Sequence, residues 1–184
     1  IMPNQHSTEI LSTQTASSFF SLSVSPGKVI RGAGILSSVA LEVANLGSRP
    51  LIVAGNHTLN LSQESLKPLF QCPELHPVLV SYGADCCEVS FKALRKSAKE
   101  HKADIIIGIG GGKALDTAKL VAHQLKLPVV TIPTSGATCA AWTALSNVYS
   151  TTGAFLYDVA LSRCPDLLIL DYNLIQTAPH RTLV

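Results

Sequence analysis

Charged side chains are scarce in this sequence: Asp, Glu, Lys and Arg make up 14% of its 184 residues, against about 25% in an ordinary soluble domain. The 14 basic and 12 acidic residues leave a formal net charge of +2, without the one-signed excess of a nucleic-acid-binding surface. The one basic cluster, Lys92, Arg95, Lys96, Lys99 and Lys102, falls on a predicted helix and reads as its solvated face. No apolar run reaches the ~18–20 residues of a membrane-spanning helix. The cysteines are Cys72, Cys86, Cys87, Cys139 and Cys164, an odd number with no Cys-x-x-Cys pair, and no two histidines stand in His-x-x-x-His spacing. These absences argue against a disulfide scaffold and a zinc site, and fit a reducing cytoplasm. Residues 1–18 lack the basic region and apolar core of a secretion signal and read as a loose leader.

What is abundant is apolar: hydrophobic residues make up 47% of the chain, and mean hydropathy is +0.32. A parallel sheet covered on both faces explains that, because its strands are near-continuous apolar runs. A domain with an apolar face meant for an interface adds to it. Short β-rich runs occur at Leu51–Ala54, Pro77–Ser81, Ile105–Ile109, Pro128–Ile132 and Leu167–Asp171. Helical patterns lie at Ile35–Leu46, at Leu61–Phe70, from Asp85 as a candidate cap to about His101, and at Lys113–Leu125, with another starting near Asn173. Two further runs, Leu145–Ser150 and Ala154–Val159, flank a Thr-Thr-Gly turn. Alternation of this kind predicts an α/β fold, a doubly wound and mostly parallel sheet. Ligands of such sheets bind beyond the carboxyl ends of the strands.

The most informative segment runs from Ile107 to Lys119, where an apolar strand ends in Gly110, Gly111 and Gly112 and a helix begins at once. Residues without side chains let main-chain N–H groups approach an anion, and the helix N-terminus adds partial positive charge. A phosphate or diphosphate is the natural guest. The segment is not a Walker loop, since Ile107 stands where its first glycine belongs and Ala114 where its Ser or Thr belongs. Nor does it complete G-x-G-x-x-G, because Gly108 and Gly110 are followed by Lys113 at the last position.

The string Gly-Gly-Gly, three residues, Asp116, one residue, Ala118-Lys119 resembles the signature of the glycerol dehydrogenase and iron-containing alcohol dehydrogenase superfamily. Further matching segments are Pro133-Thr134-Ser135-Gly136-Ala137-Thr138, Thr143-Ala144-Leu145-Ser146-Asn147-Val148-Tyr149, Cys164 to Asp171, and Ala178-Pro179-His180-Arg181, so the resemblance covers roughly residues 20–184. It is similar above all to the glycerol dehydrogenase branch. It implies a Rossmann-like cofactor domain over residues 19–163, of the kind that opens dehydroquinate synthases. Residues 164–184 would then form a connection towards an all-helical metal-binding domain outside this chain. Zinc or iron would belong to the longer parent, and neither a metal ligand nor a catalytic residue is assigned here.

The resemblance also implies cofactor contacts from Gly110, Gly111, Gly112, Lys113, Asp116, Asn56, Thr134, Thr138, Thr143, Leu145 and Tyr149. Leu145 is expected to act through its backbone, with its side chain in the core. Asp116 has a second reading, an ion pair with Lys113 or Lys119, and the two threonines of the Ser-Gly-Ala turn have one as turn caps. Cys139 stands where glycerol dehydrogenases place a polyol-binding Asp, and a thiol is a weak donor and acceptor. That points away from glycerol and towards a less polar alcohol or aldehyde or another hydroxylated metabolite; buried packing is the other reading of this cysteine. The strand ending at Gly55 carries Asn56 and no acid, so NAD is the first expectation and NADP stays open. Dehydroquinate synthases, glycerol-1-phosphate dehydrogenases and a non-catalytic dinucleotide-binding module remain as alternatives. A small-molecule alcohol or polyol as substrate, no nucleic acid or membrane as partner, and a homo-oligomer complete the expectations.

Overall fold

The computed structural model describes residues 21–83 and 85–176. The leader read over residues 1–18, and Ala178 to Arg181, lie outside the described residues. A six-stranded sheet, every neighbouring pair parallel, forms the centre. Its strands are β1 (Lys28–Gly32), β2 (Pro50–Ala54), β3 (Val78–Ser81), β4 (Ile105–Gly110), β5 (Val129–Pro133) and, after a separate antiparallel hairpin of β6 (Leu145–Tyr149) and β7 (Phe155–Ala160), β8 (Leu167–Asp171). The order across the sheet is β1-β8-β5-β4-β2-β3. Since β8 lies between β1 and β5, the sheet runs on past residue 163, where the sequence suggested a boundary.

The helices are α1 (Ala40–Ala44), α2 (Asn56–Gln71), α3 (Glu88–His101), α4 (Gly112–Leu125) and α5 (Tyr172–Gln176). The continuous helix expected over Ile35–Leu46 is instead a 3-10 turn at Ile35–Ser38 followed by the short α1. The buried Asp171 carboxylate at the end of β8 accepts the N–H groups of Gly34 and Leu36 at 3.0 and 2.9 Å, which fixes that turn from outside it. In the other direction α2 exceeds its sequence pattern, starting at Asn56 directly after β2 and carrying Pro68 in its C-terminal half.

Side-chain alternation along the strands makes two cores. On one face Ile52, Ile105, Ile107, Ile109, Val130 and Ile169 pack against Leu36 and Val43 and against Leu66 and Leu69 of α2. On the other, Leu51, Val53, Ile106 and Val129 meet Phe91 and Leu94 of α3 and Ala118 and Val121 of α4. Strands β2, β4 and β5 are buried along their whole length, as the apolar runs required. Among the described residues no helix is long and apolar enough to cross a membrane.

This topology places a crevice. From β2 the chain passes through α2 to β3 on one side, then returns through α3 to β4 on the other side of β2. The helix after β2 covers one face and the helix after β4 the opposite one. The carboxyl ends of β2 and β4 are therefore the point where the winding reverses, the usual ligand crevice of such sheets.

Candidate functional site

Three glycines at the end of β4 do three different things. A Cβ on Gly108 would lie 2.6 Å from the Ala118 Cβ, so its bareness lets α4 sit down on the sheet. Gly110 has φ +143°, a conformation that disfavours any side chain, and a Cβ there would come within 2.9 Å of the Ala114 Cβ. Gly111 has φ −82° and ψ −173° at the N-cap of α4, makes no side-chain capping bond, and has nothing within 4 Å of where a Cβ would stand. The open main chain thus lies at the head of a 14-residue helix with no acidic residue in its first turn. Such a helix end suits an anion.

Beside it is a cavity of about 310 Å³, lined by Gly112, Lys113, Asp116, Thr138, Cys139, Ala140, Thr143, Leu145, Asn147 and Tyr149. Eight of the twelve residues singled out from the sequence, Cys139 included, therefore share one wall or another of one space. The other four do not line it. Gly110 and Gly111 form its approach, and Thr134 donates its N–H to the Gly110 carbonyl at 3.0 Å. Asn56 opens α2 on the far side of the glycines, where the Thr58 hydroxyl lies 3.6 Å from the Cβ position of Gly110.

The walls are set by electrostatics. Lys119 is 1% exposed, yet its ammonium meets Asp116 Oδ1 at 3.0 Å, the Thr143 carbonyl at 3.1 Å and the Leu145 carbonyl. Asp116 Oδ2 accepts the Asn147 N–H at 3.2 Å, and its carbonyl accepts the Ser146 hydroxyl at 3.1 Å. A buried ion pair on α4 thus nails down the start of β6. Burial pushes the Asp116 carboxyl up despite Lys119, and pulls the Lys119 ammonium down despite Asp116. The ion-pair reading of Asp116 holds with Lys119; Lys113 pairs elsewhere. Leu145 is corrected in one respect: its side chain is 39% exposed rather than in the core, and its carbonyl is already engaged by Lys119.

Lys113 reaches Asp85, with Nζ at 2.9 Å from Oδ1 and 3.0 Å from Oδ2, and lies 4.9 Å from the centroid of the Tyr149 ring. The hydrogen bond that it donates to the Asp85 carboxylate raises the Lys113 ammonium above the ordinary lysine range. Asp85 itself is not the cap of α3, as its position suggested. That place belongs to Cys87, and Asp85 Oδ1 accepts the neighbouring Cys86 N–H at 3.0 Å. Asp85, Lys119 and Asn147 were missed by the sequence reading. Lys119 left a signal there as the last residue of the glycine-loop string, Asn147 as a member of the segment from Thr143 to Tyr149, and Asp85 only as a candidate helix cap.

Cys139 is exposed on the cavity rim, which rules out buried packing, whereas Cys86 is wholly buried, its thiol pushed up to about 12 by burial. The residues present fit a dinucleotide's diphosphate, on the strength of the open amides at Gly111. They do not fit a metal ion: among the described residues no group of three or more His, Cys, Asp or Glu side chains comes together to hold one.

The chain as a whole is similar to known proteins. The family model described as iron-containing alcohol dehydrogenase matches residues 26–172. An uncharacterized oxidoreductase of Synechocystis sp. is 54% identical over 164 residues, which cover 89% of this chain and 42% of that protein. The glycerol dehydrogenase of Thermotoga maritima is 34% identical over 160 residues, covering 86% of this chain and 43% of its own. Among solved structures, a probable glycerol dehydrogenase from Sinorhizobium meliloti 1021 superposes with a TM-score of 0.79 at 32% identity, over 88% of this chain and 43% of that one. The chain spans a little over two-fifths of the length of these relatives.

Proposed function

Because the chain belongs to the iron-containing alcohol dehydrogenase family, we propose that it forms the dinucleotide-binding part of a metal-dependent dehydrogenase acting on a small alcohol or polyol. The observation that carries this reading is the uncapped head of α4 at the winding reversal, with main-chain N–H groups open to a ligand at Gly111 and the 310 Å³ cavity beside it. The diphosphate of NAD, or of NADP, rests on Gly111 and Gly112. Lys113 supplies positive charge next to it. Asn56 and Thr134 stand at the neighbouring strand ends, and Thr138, Thr143, Leu145 and Tyr149 shape the cavity, with Asp116 holding its β6 wall to α4. When bound, the nicotinamide ring gives or accepts the hydride. What this chain's residues do is seat the cofactor, orient it and keep water from part of its surface.

No step through a metal is assigned to these residues, since the described ones offer no cluster to hold it. Cys139 on the cavity rim presents a thiol to the substrate side, which favours an alcohol less polar than glycerol. The relatives described above are oxidoreductases, one of them named a glycerol dehydrogenase and one a probable glycerol dehydrogenase, so a dehydroquinate synthase, a glycerol-1-phosphate dehydrogenase and a non-catalytic module are not favoured. Trp142 is the only tryptophan and 41% exposed, three residues from Cys139, which makes it a reporter for binding. Titrating the 184-residue chain with NADH and NADPH is expected to give saturable energy transfer from Trp142, with no alcohol turnover on adding zinc or iron. No transfer with either nucleotide at millimolar concentration overturns the reading.

A further inference from the structure

We infer that Asp85 is a positioning residue for cofactor binding: it acts through Lys113, holding that ammonium at the cavity wall where a dinucleotide phosphate meets it. This rests on the reading above and adds a residue that the glycine-loop string does not contain. Lys113 is the second residue of α4, and a cation in the first turn of a helix faces the positive end of the helix dipole. Its side chain is 43% exposed, so without a partner it would swing away into water. Asp85 supplies that partner at 2.9 and 3.0 Å, while the Tyr149 ring bounds the other side at 4.9 Å.

Asp85 is rigid enough for the task. It is 8% exposed and accepts the Cys86 N–H, and its own carbonyl accepts the Ser90 hydroxyl at 2.8 Å. The hairpin turn closes over it, with the Cβ position of Gly153 at 3.2 Å from Oδ2. One carboxylate therefore joins the start of α3, the head of α4 and the β6–β7 turn at the point where the lysine enters the cavity. Two consequences follow for affinity. The ammonium is prepaid in conformational entropy, and its aim is fixed by Asp85, which does not itself line the cavity.

The test is a double-mutant cycle on NADH affinity in the 184-residue chain, read by energy transfer from Trp142. Asp85→Asn keeps the shape and the acceptor for the Cys86 N–H while removing the charge. It is expected to weaken NADH about tenfold, Lys113→Ala by at least as much, and the double variant no more than Lys113→Ala alone. If the Asn variant does not fold, Asp85→Ser enters the same cycle. Two outcomes overturn the inference: affinity within twofold of the parent when Asp85 is changed, or an equal loss with and without Lys113, which marks a merely structural role. If the unmodified chain binds no NADH, the dinucleotide reading itself fails, and that is seen before any variant is made.

Discussion

At the scale of single residues, the glycine loop separates folding from binding. Gly108 and Gly110 are fixed by packing and by backbone conformation, whereas Gly111 combines an ordinary φ of −82° with open space. Gly111→Asp therefore adds a side-chain N-cap where none exists, worth roughly a few tenths of a kcal/mol to α4. The same carboxylate occupies and repels the diphosphate position. The variant is expected to melt no lower than the parent and to lose NADH binding at least a hundredfold. Gly108→Ala, by contrast, drives a methyl within 2.6 Å of the Ala118 Cβ and should lower stability by about 1–3 kcal/mol. Calorimetry with a binding titration on both variants checks the pair, and a Gly111→Asp chain that still binds NADH would remove the loop from the site. The cysteines give a second residue-level check. Cys139 is exposed on the cavity rim and Cys86 is buried with its thiol held at about 12, so iodoacetamide at pH 8 should label Cys139 and spare Cys86. Saturating NADH should slow labelling of Cys139 several-fold, as peptide mass spectrometry would show.

At the scale of elements, the arrangement depends on how β6 is tied to α4. The tie is the Asp116–Lys119 pair with its bonds to Thr143, Leu145 and Asn147. Lys119→Met keeps the length of the side chain but leaves the buried Asp116 carboxylate uncompensated, at a cost of about 3–5 kcal/mol near neutral pH. Burial already raises the Asp116 carboxyl, and loss of Lys119 raises it further. The folded state then takes up a proton more readily than the unfolded chain. The deficit is accordingly full above that raised value and shrinks as pH falls through it. Urea unfolding of parent and variant at pH 7.5 and pH 5 checks both size and sign; a deficit that grows at pH 5 contradicts it. Elements were legible in the sequence to different degrees for the same physical reason. Strands β2, β4 and β5 are buried on both faces and show as bare apolar runs, and α4 follows its glycines without a gap. The Ile35–Leu46 pattern was misread because its break is imposed by Asp171, more than a hundred residues away. The seat of Lys113 was invisible because Asp85 lies 28 residues upstream and its own neighbourhood suggests a cap.

At the scale of the whole molecule, the alternation of strands and helices carried the fold and the place of the crevice, whereas most of the cavity residues came from the family resemblance. Alternating strands and helices that wind first one way and then the other from β2 must leave a crevice where the direction changes, and β4 ends there in glycine. What strand alternation does not encode is how far each candidate stands from that crevice. Asn56 and Thr134 sit at the right strand ends but outside the cavity, while Asn147, never singled out, lines it. If the crevice is the seat of the cofactor, binding draws on α2, α4 and the β6–β7 hairpin at once, and ligand should stabilise the cooperative unit as a whole rather than one loop. NADH at about a hundred times its dissociation constant contributes about 2.7 kcal/mol through mass action. For a domain of this size that corresponds to a rise in Tm of about 5–10 °C. The melt should stay a single transition when followed both by Trp142 fluorescence, which reports the cavity rim, and by far-UV circular dichroism, which reports the sheet and helices. The Gly111→Asp chain, equally folded, should show no rise at the same concentration. A shift in the fluorescence transition alone would mean that the nucleotide orders the rim without engaging the head of α4.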